Sequence, residues 1–424
     1  MNFVLISNIF PPHVRGGYEL GCEIVARRLS GLGHTVTILT SAALGQLERT
    51  TLMPGLNVRP IFEPIFEYEE LLDARTTQNP LWLRRRQEAF GGVLVGNVLA
   101  LSDCLTEIRP EVVWFFNPLG LGTVGILEAA LSHPVKCIIH LMDNIDGAVA
   151  EHQQALSFEG RYRRLKSHIS AISCSRKTLL ANERLGPYRS HRVIYNGISF
   201  DEIPCERTGA RGDGVCRFVY FGQVSEPKGV LEIVRGAAHL RRERPEARFT
   251  VDVIGRCSAL YRRELESTIA ENGLSGVVNL IPFMAHETLM TELTRYDAAV
   301  MLLSAEEPFG YAPVEAAAAG LPVVMTPDAG SAECFPEDYP LFVENRSKET
   351  EVAEKMWWCC RNLPELRKLG LELRSALQAR CDLDRVTIPG YLRVVRACPV
   401  SAGRFNIQGL LSSYYTARLY SQIA

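Results

Sequence analysis

The feature that most limits the fold of this chain is a strand–helix–strand pattern that occurs twice. Near the start, the apolar run 3–6 is followed by a loop with two prolines and two glycines, a helical spacing over 18–29 and a second apolar run at 36–39. The same order begins again with the apolar run 218–221. Strands that alternate with helices form parallel sheets covered on both faces. The pattern therefore predicts an α/β protein with two doubly wound parallel-sheet domains.

A polar, charged segment between the two patterns indicates a domain boundary. Residues 1–204 are expected to form an N-terminal Rossmann-like domain, 205–215 a linker and 216–382 a C-terminal Rossmann-like domain. A helix within 383–400 is expected to pack back on the first domain, whereas 401–424 has no predicted structure. Ligands of such sheets bind beyond the carboxyl ends of the strands, so two facing domains would form a binding cleft.

The composition excludes several classes of protein. The 424 residues are 47% hydrophobic and 22% charged, which is ordinary for a globular protein. Lys and Arg number 46 against 48 Asp and Glu, and this net charge of −2 argues against a nucleic-acid-binding protein. The 12 cysteines are scattered, and no Cys/His cluster predicts a metal site. No long apolar run predicts a membrane-spanning helix, and we expect a cytoplasmic protein with reduced thiols.

The strongest local signal is a short helix expected at about 313–319, between two buried strands. Pro313 suits the first position of a helix, and Gly320 suits the position just after its end. Backbone amides at the N-terminus of such a helix bind anions, and a glycine in the preceding loop lets a phosphate approach. Glu307 precedes this helix, and Glu315 lies within its expected first turn.

Two carboxylates beside an anion site need a reason, because they repel a diphosphate. Sugar hydroxyls supply one, since carboxylates accept strong hydrogen bonds from diols. A nucleotide sugar carries one diol on its ribose and another on its donor sugar. The alternative left open by the residues is that Glu307 and Glu315 only complement the positive end of the helix dipole.

Several motifs, in this order along the chain, resemble those of the retaining glycosyltransferases of family 4, which have the GT-B fold. The E-x7-E spacing from 307 to 315 is followed by A-x-G-x-P-V-V ending at 324. Earlier matches are F-G-Q…K-G at 221–229, V-I-Y-N-G at 193–197 and a P…G-G loop followed by L-x-x-x-G-H-x-V within 11–36. The resemblance covers both domains and is looser in the middle of the first.

The resemblance implies two Rossmann-like domains that face each other across a cleft. It further implies a metal-independent hexosyltransferase that moves a sugar, with retention, from a nucleoside-diphosphate sugar to a hydroxyl acceptor. The acceptor would be a glycan or lipid-linked glycan, as in bacterial surface polysaccharide or glycolipid assembly. No cofactor and no metal are expected, because backbone amides and Lys228 would hold the diphosphate and no D-x-D motif flanks the site.

The resemblance implies catalytic roles for three residues. Glu307 would contact the donor sugar, Lys228 would neutralise the diphosphate, and His140 would face the donor sugar. A fixed cation fits this chemistry, because a departing nucleoside diphosphate gains negative charge in the transition state. The alternatives are a solvated loop lysine at 228 and a structural histidine at 140. Glu315 would bind the hydroxyls of the ribose.

The other implied donor-binding residues include two departures from the family pattern. Gln223 stands where the family usually has Arg, so either the phosphate contact is weaker or Arg256 supplies the second cation. Phe283 lies in the turn that would contact the nucleotide base. This turn lacks its usual glycine, so the sequence does not indicate which base is preferred. The remaining donor-binding residues are Gly16, Gly17, Gly222, Phe309, Gly310 and Tyr311.

Two other functions stand as alternatives. A G-x-G-x-x-G motif at 120–125 follows an apolar strand, and Asp143 comes after the next strand, as in dinucleotide-binding fingerprints. This motif predicts an NAD(P)-dependent oxidoreductase, although it lies far from the first strand and leaves the paired glutamates unexplained. The second alternative is a non-catalytic relative that binds sugar nucleotides.

Basic clusters occur at 84–86 and at 161–166. The first follows an apolar Leu-Trp-Leu run, and an apolar face with basic neighbours can rest on anionic lipid. The clusters are therefore either solvated helix faces or points of peripheral contact with the inner face of a membrane.

Overall fold

The structure is a computed structural model that describes residues 1–12, 14, 16–41, 56–63, 88–151, 158–206, 213–403 and 405–423, with side chains as far as 416. The chain divides into two compact units. Unit 1 comprises Met1–Ile194 and Ile388–Ala424, and unit 2 comprises Tyr195–Thr387.

Strands and helices alternate through most of both units. The strands are β1 Asn2–Ser7, β2 Thr35–Ser41, β3 Asn57–Phe62, β4 Val112–Asn117, β5 Lys136–Leu141, β6 Ser170–Ser173, β7 Ser190–Val193, β8 Cys216–Phe221, β9 Phe249–Ile254, β10 Val278–Ile281, β11 Ala298–Met301 and β12 Val323–Met325. The helices are α1 Gly17–Gly31, α2 Val95–Ile108, α3 Thr123–Leu131, α4 Ile145–Glu151, α5 Glu159–Lys166, α6 Arg176–Ala181, α7 Val230–Glu243, α8 Ala259–Glu271, α9 His286–Glu292, α10 Tyr311–Ala318, α11 Glu349–Arg361, α12 Leu363–Cys381, α13 Ile388–Ala397 and α14 Ile407–Ile423.

Each unit is built around one parallel sheet with the same winding. The sheet of unit 1 has the order β3-β2-β1-β4-β5-β6-β7, and the sheet of unit 2 has the order β10-β9-β8-β11-β12. The pairs formed between these twelve described strands are parallel. In both sheets the chain starts at the centre, winds to one edge and then returns to the other side of the first strand. The predicted fold class, two doubly wound α/β domains, is confirmed.

The boundary between the units differs from the expected one. Residues after Ile194 already belong to unit 2, because the backbone of Ile198 exchanges hydrogen bonds with Cys381 (3.0 Å) and Leu383 (3.0 Å). Arg374 also donates to the carbonyl of Phe200 at 2.6 Å. The first domain therefore ends ten residues before the expected position 204. Most of the expected linker 205–215 lies outside the described residues.

The chain returns to unit 1 at Ile388. The Lys136 ammonium of β5 donates to the carbonyl of Val395 in α13 at 2.9 Å, so this helix packs beside the first sheet. The C-terminal segment 401–424, whose sequence predicts no structure, contains α14. Tyr414 of this helix is 2% exposed and donates to a carboxylate oxygen of Glu88 at 2.8 Å. Both C-terminal helices thus belong to unit 1.

One described segment is long and apolar enough to cross a membrane by length and composition alone. It is Glu88–Ile108, in which the most apolar stretch of 18 residues has a mean hydropathy of 1.5 and is 56% buried. The helix of a protein core passes the same test, and Val98, Leu101 and Leu105 lie in the core of unit 1. The segment is accounted for by core packing.

The glycines of the G-x-G-x-x-G motif have a packing role. The amides of Gly122 and Gly125 donate to the carbonyls of Ala89 (2.7 Å) and Gly92 (3.1 Å), so they are already used within the protein. A Cβ at Gly122 would lie 2.5 Å from the backbone nitrogen of Leu94, too close for any side chain. These glycines admit neighbouring backbone rather than a pyrophosphate, which argues against the oxidoreductase alternative.

Two of the four cations in the basic cluster 161–166 are engaged inside unit 1. Lys166 is fully buried and donates to both carboxylate oxygens of Asp146 at 2.8 and 2.7 Å. Arg161 forms a bidentate ion pair with Glu128, whose side chain is 2% exposed. Arg163 and Arg164 are exposed, and Arg163 pairs with Glu159 of the same helix at 2.9 Å, so the other two cations of the cluster face solvent. The cluster 84–86 lies outside the described residues.

Candidate functional site

The central strands of unit 2 form the point where the winding of the sheet changes direction. β8 pairs with β9 on one side and with β11 on the other, and the chain leaves these strands toward opposite edges. Open α/β sheets bind their ligands outside the carboxyl ends of strands at such a switch point. The segments that follow β8 and β11 are 222–229 and 302–310, and both contain residues predicted to bind the donor.

Lys228 and Glu307 come together at this switch point from positions 79 residues apart. Lys228 ends the single helical turn Glu226–Lys228 after β8, and its ammonium donates to a carboxylate oxygen of Glu307. The two side chains are 25% and 17% exposed. The amide of Ser304 donates to the carbonyl of Pro227 at 3.0 Å, which joins the two segments through their backbones. An anion that binds Lys228 must therefore compete with Glu307.

The close contact between these segments requires glycine at 229. Gly229 has a φ of 72°, and a Cβ on it would lie 2.1 Å from the carbonyl oxygen of Leu302. No side chain fits there, and the left-handed conformation also favours glycine. The K-G pair seen in the sequence thus places the lysine and lets its loop lie on the end of β11.

Arg346 fastens the same two segments, although no motif in the sequence indicates this role. Its guanidinium donates to the carbonyls of Pro227 and Leu302, both at 3.0 Å. The Glu232 carboxylate in the first turn of α7 lies 3.8 Å from the guanidinium. Arg346 lies in a turn shortly before α11, where the sequence has no recognisable pattern, so only the folded chain shows that it supports Lys228.

The helix after β11 begins at Tyr311, two residues earlier than predicted. Gly310 precedes it with a φ of 80°, and no side chain caps the helix by a hydrogen bond. Glu315 is consequently the fifth residue of α10 and not part of its first turn, which corrects the prediction. Pro313 remains within the first turn, where its missing N–H costs nothing. The helix-dipole explanation for Glu315 is weakened, because the dipole acts mainly at the first turn.

Glu315 has a partner that lies outside the sequence motifs. Its carboxylate oxygen Oε1 lies 2.9 Å from Nε2 of His286, the first residue of α9. The Glu315 side chain is 17% exposed and that of His286 is 64% exposed. The hydrogen bond to Glu315 raises the pKa of His286 above its usual value. The one signal in the sequence is a histidine shortly after the carboxyl end of β10, and it belongs to none of the motifs.

Phe309 and Tyr311 differ in what they can offer a ligand. The side chain of Phe309 is 2% exposed and packs near Tyr195 and Tyr311, with ring centroids 6.5 and 5.7 Å away. Only its backbone can therefore contact a donor. Gly310 and Tyr311 are partly exposed.

The remaining predicted residues of unit 2 lie on neighbouring loops. Gly222 and Gln223 are exposed after β8, and the Tyr220 hydroxyl donates to the carbonyl of Gln223 at 2.6 Å. Arg256 is exposed after β9, and its guanidinium lies 4.5 Å from the ring centroid of Phe283. Phe283 is 57% exposed, which is unusual for a large aromatic side chain. Arg256 thus stacks on the predicted base-contacting residue.

The predicted residues of unit 1 are placed separately. Gly16 and Gly17 lie where the loop after β1 meets α1, and the amide of Gly16 donates to the Glu19 carboxylate at 2.8 Å. A Cβ on Gly16 would meet nothing within 4 Å, so internal packing does not explain this glycine.

His140 lies near the end of β5, as predicted, but it is 1% exposed. Its ring packs on Phe116, Tyr391 and Trp114, with centroid distances of 4.9, 5.3 and 6.0 Å. A ring enclosed by three aromatic side chains contributes to the core of unit 1. The geometry therefore favours the structural alternative for His140 over a direct contact with the donor.

Comparisons with known proteins agree with this architecture. Residues 211–370 match the family model of the glycosyl transferases group 1. A glycogen synthase of Mycobacterium tuberculosis is 24% identical over 353 residues, which cover 78% of this chain and 80% of the relative. A D-inositol 3-phosphate glycosyltransferase of Pseudarthrobacter chlorophenolicus is 31% identical over 224 residues, 48% of this chain and 52% of the relative.

The fold is also found among solved structures. Anabaena HepE in complex with UDP and glucose superposes with a TM-score of 0.64 at 17% identity, covering 94% of this chain and 99% of HepE. The group 1 match spans every residue of the switch-point site in unit 2, from Gly222 to Arg346. Residues 211–370 therefore match the glycosyl transferases group 1 family, and the chain as a whole has the GT-B fold.

Proposed function

We propose that this chain is a retaining glycosyltransferase of family 4, which moves a sugar from a nucleoside-diphosphate sugar to a hydroxyl of a glycan or lipid-linked glycan. The observation that carries the proposal is the pairing of Lys228 with Glu307 at the switch point of unit 2. A cation and a carboxylate side by side match the two halves of such a donor, because the diphosphate needs positive charge and the sugar offers hydroxyls.

In this proposal each residue acts on one part of the donor. Lys228 and the amides of Gly310 and Tyr311 bind the diphosphate and stabilise the charge that it gains on leaving. Glu307 accepts hydrogen bonds from the donor sugar, and Glu315 accepts them from the ribose. The departing phosphate takes the proton of the attacking hydroxyl on the same face of the sugar, which accounts for retention without a protein nucleophile.

The nucleoside is assigned to the exposed loops beside this pair. Phe283 offers an aromatic face on which a base can stack, and Arg256 lies on that same side chain. The structure of HepE was solved with UDP and glucose, which makes UDP the first nucleotide to test here.

A melting screen tests the proposal. A ligand that binds only the folded protein raises its melting temperature through linkage. UDP, GDP and ADP should be compared first, followed by their sugars and by NAD(P). Stabilisation by one nucleoside diphosphate and its sugar supports the proposal. Stabilisation by NAD(P) with no response to the three diphosphates would contradict it, and binding without any sugar transfer would favour a non-catalytic relative.

A Glu315→Ala variant is expected to bind nucleoside diphosphate about ten- to a hundredfold more weakly. The change removes hydrogen bonds to a charged group, which are worth about 1.5–3 kcal/mol, and tenfold in affinity corresponds to about 1.4 kcal/mol. Isothermal titration calorimetry measures this, with circular dichroism to show that the fold is intact. Unchanged affinity in a folded variant would remove Glu315 from the nucleotide site.

A Gln223→Arg variant is expected to bind nucleoside diphosphate at least as tightly as the wild type, and up to about tenfold more tightly, since a charge-assisted hydrogen bond is added. The side chain of Gln223 is exposed and its loop is held through the backbone, so the change should leave the fold intact. Calorimetry with UDP, and with Gln223→Ala as a neutral control, measures the effect. Weaker binding by the Arg variant would indicate that another cation, such as Arg256, already occupies the position.

A further inference from the structure

The contact between His286 and Glu315 joins two elements that follow different strands. Glu315 lies in α10 after β11, and His286 begins α9 shortly after β10. Both strands end at the same edge of the sheet, which is the edge where ligands of such sheets bind. A carboxylate has no hydrogen to donate, so the 2.9 Å contact is a hydrogen bond from imidazole Nε2–H to Oε1.

This hydrogen bond restricts the orientation of the carboxylate but does not use all of its capacity to accept hydrogen bonds. An ionised carboxylate can accept about four hydrogen bonds, and His286 supplies one of them at Oε1. The Glu315 side chain is still partly exposed, at 17%, and the side chain of His286 is 64% exposed. A long acidic side chain fixed in this way loses little rotational freedom when a ligand binds, and such preorganisation favours affinity.

We infer that His286 is a positioning residue of the nucleotide site. It fixes the Glu315 carboxylate so that the remaining lone pairs of its oxygens can accept hydrogen bonds from the two ribose hydroxyls. This inference rests on the proposed function, in which Glu315 binds the ribose. His286 lies three residues after Phe283, so one short segment carries both the base platform and the support for the ribose site.

A comparison of two ligands tests the inference. The dissociation constants of UDP and of 2′,3′-dideoxyuridine diphosphate, or of the same pair for the base that the melting screen selects, are measured by calorimetry. The wild type is expected to prefer the ribonucleotide by about ten- to a hundredfold, because the dideoxy analogue leaves Glu315 without its hydroxyl partners. Glu315→Ala should bind both ligands equally.

The His286→Ala variant should then bind UDP about three- to tenfold more weakly than the wild type, and its affinity for the dideoxy analogue should be unchanged. His286→Gln, which can donate a hydrogen bond from a similar position, should recover most of the loss. Glu287→Gln is the matched control, because Glu287 is the exposed neighbour in α9 and should not alter either affinity. In steady-state transfer, His286→Ala should raise KM for the donor and leave kcat unchanged.

A spectroscopic measurement tests the contact itself. The Glu315 carboxylate raises the pKa of His286, with a smaller contribution from Glu287. An NMR titration of the imidazole should therefore show a lower pKa in Glu315→Ala than in the wild type.

Two results separate the inference from the proposed function. Loss of ribose discrimination in Glu315→Ala together with full discrimination in His286→Ala would overturn the inference and leave the ribose role of Glu315 intact. Full discrimination in Glu315→Ala would overturn the ribose assignment and the inference with it.

Discussion

In a Lys228→Ala variant, turnover of sugar transfer is expected to fall about 100-fold or more. Removal of one preorganised donor of this kind costs about 10²–10³ in rate in other enzymes, because the charge on the leaving group is no longer offset. The change also leaves the Glu307 carboxylate without its cation and facing the diphosphate. The variant should fold normally, since Lys228 is partly exposed and its loop is held by Arg346 and Gly229.

Steady-state transfer assays with the cognate donor measure the loss. Lys368→Ala is the matched control, because Lys368 is 80% exposed and pairs only weakly with Glu372, at 3.8 Å on the surface of α12. A fully active Lys228→Ala variant would remove this residue from the site. The same assays should be run with excess EDTA, which is expected to leave wild-type activity in place. Activity lost in EDTA and restored by Mn²⁺ would show that the carboxylates bind a metal.

A Glu307→Gln variant is expected to change binding and turnover in opposite directions. The affinity for UDP should rise, by up to about fivefold, because Lys228 no longer has a competing partner and a partly exposed ion pair is worth about 1 kcal/mol. Turnover should fall about ten- to a hundredfold, because the charged hydrogen bonds to the donor sugar are weakened. These opposite signs follow from the paired geometry and are not expected for a residue that only supports the fold.

Calorimetry with UDP and transfer assays together test this prediction. Glu306→Gln is the matched control, because Glu306 is the exposed neighbour one position earlier. Weaker UDP binding in Glu307→Gln would contradict the competition between Glu307 and the diphosphate for Lys228. Unchanged turnover would contradict the contact between Glu307 and the donor sugar.

The local patterns of the sequence determined the fold class and most of the site in unit 2. Apolar runs and helical spacings depend on neighbours within a few residues, so β1, α1 and β8 could be predicted directly. The E-x7-E spacing and the K-G pair likewise indicate Glu307, Glu315 and Lys228 from the sequence alone. The order of the strands, which brings the ends of β8 and β11 together, is a property of the folded sheet that these local patterns do not fix.

Burial and long-range partners were decided only by the tertiary structure. The glycine motif at 120–125 has the composition of a nucleotide loop, yet its glycines admit neighbouring backbone inside unit 1. Lys166 of the basic cluster 161–166 is likewise buried in an ion pair with Asp146. His140 matches a strand-end motif but is enclosed by three aromatic rings.

The partners of the site residues also could not be predicted from local sequence patterns. His286 and Arg346 carry no motif, because their roles depend on segments 29 and 119 residues away along the chain. A short-range pattern reports which face of a strand or helix is apolar. Which side chain meets which across the sheet depends on how the elements pack, and that is settled when the whole chain buries its apolar surface.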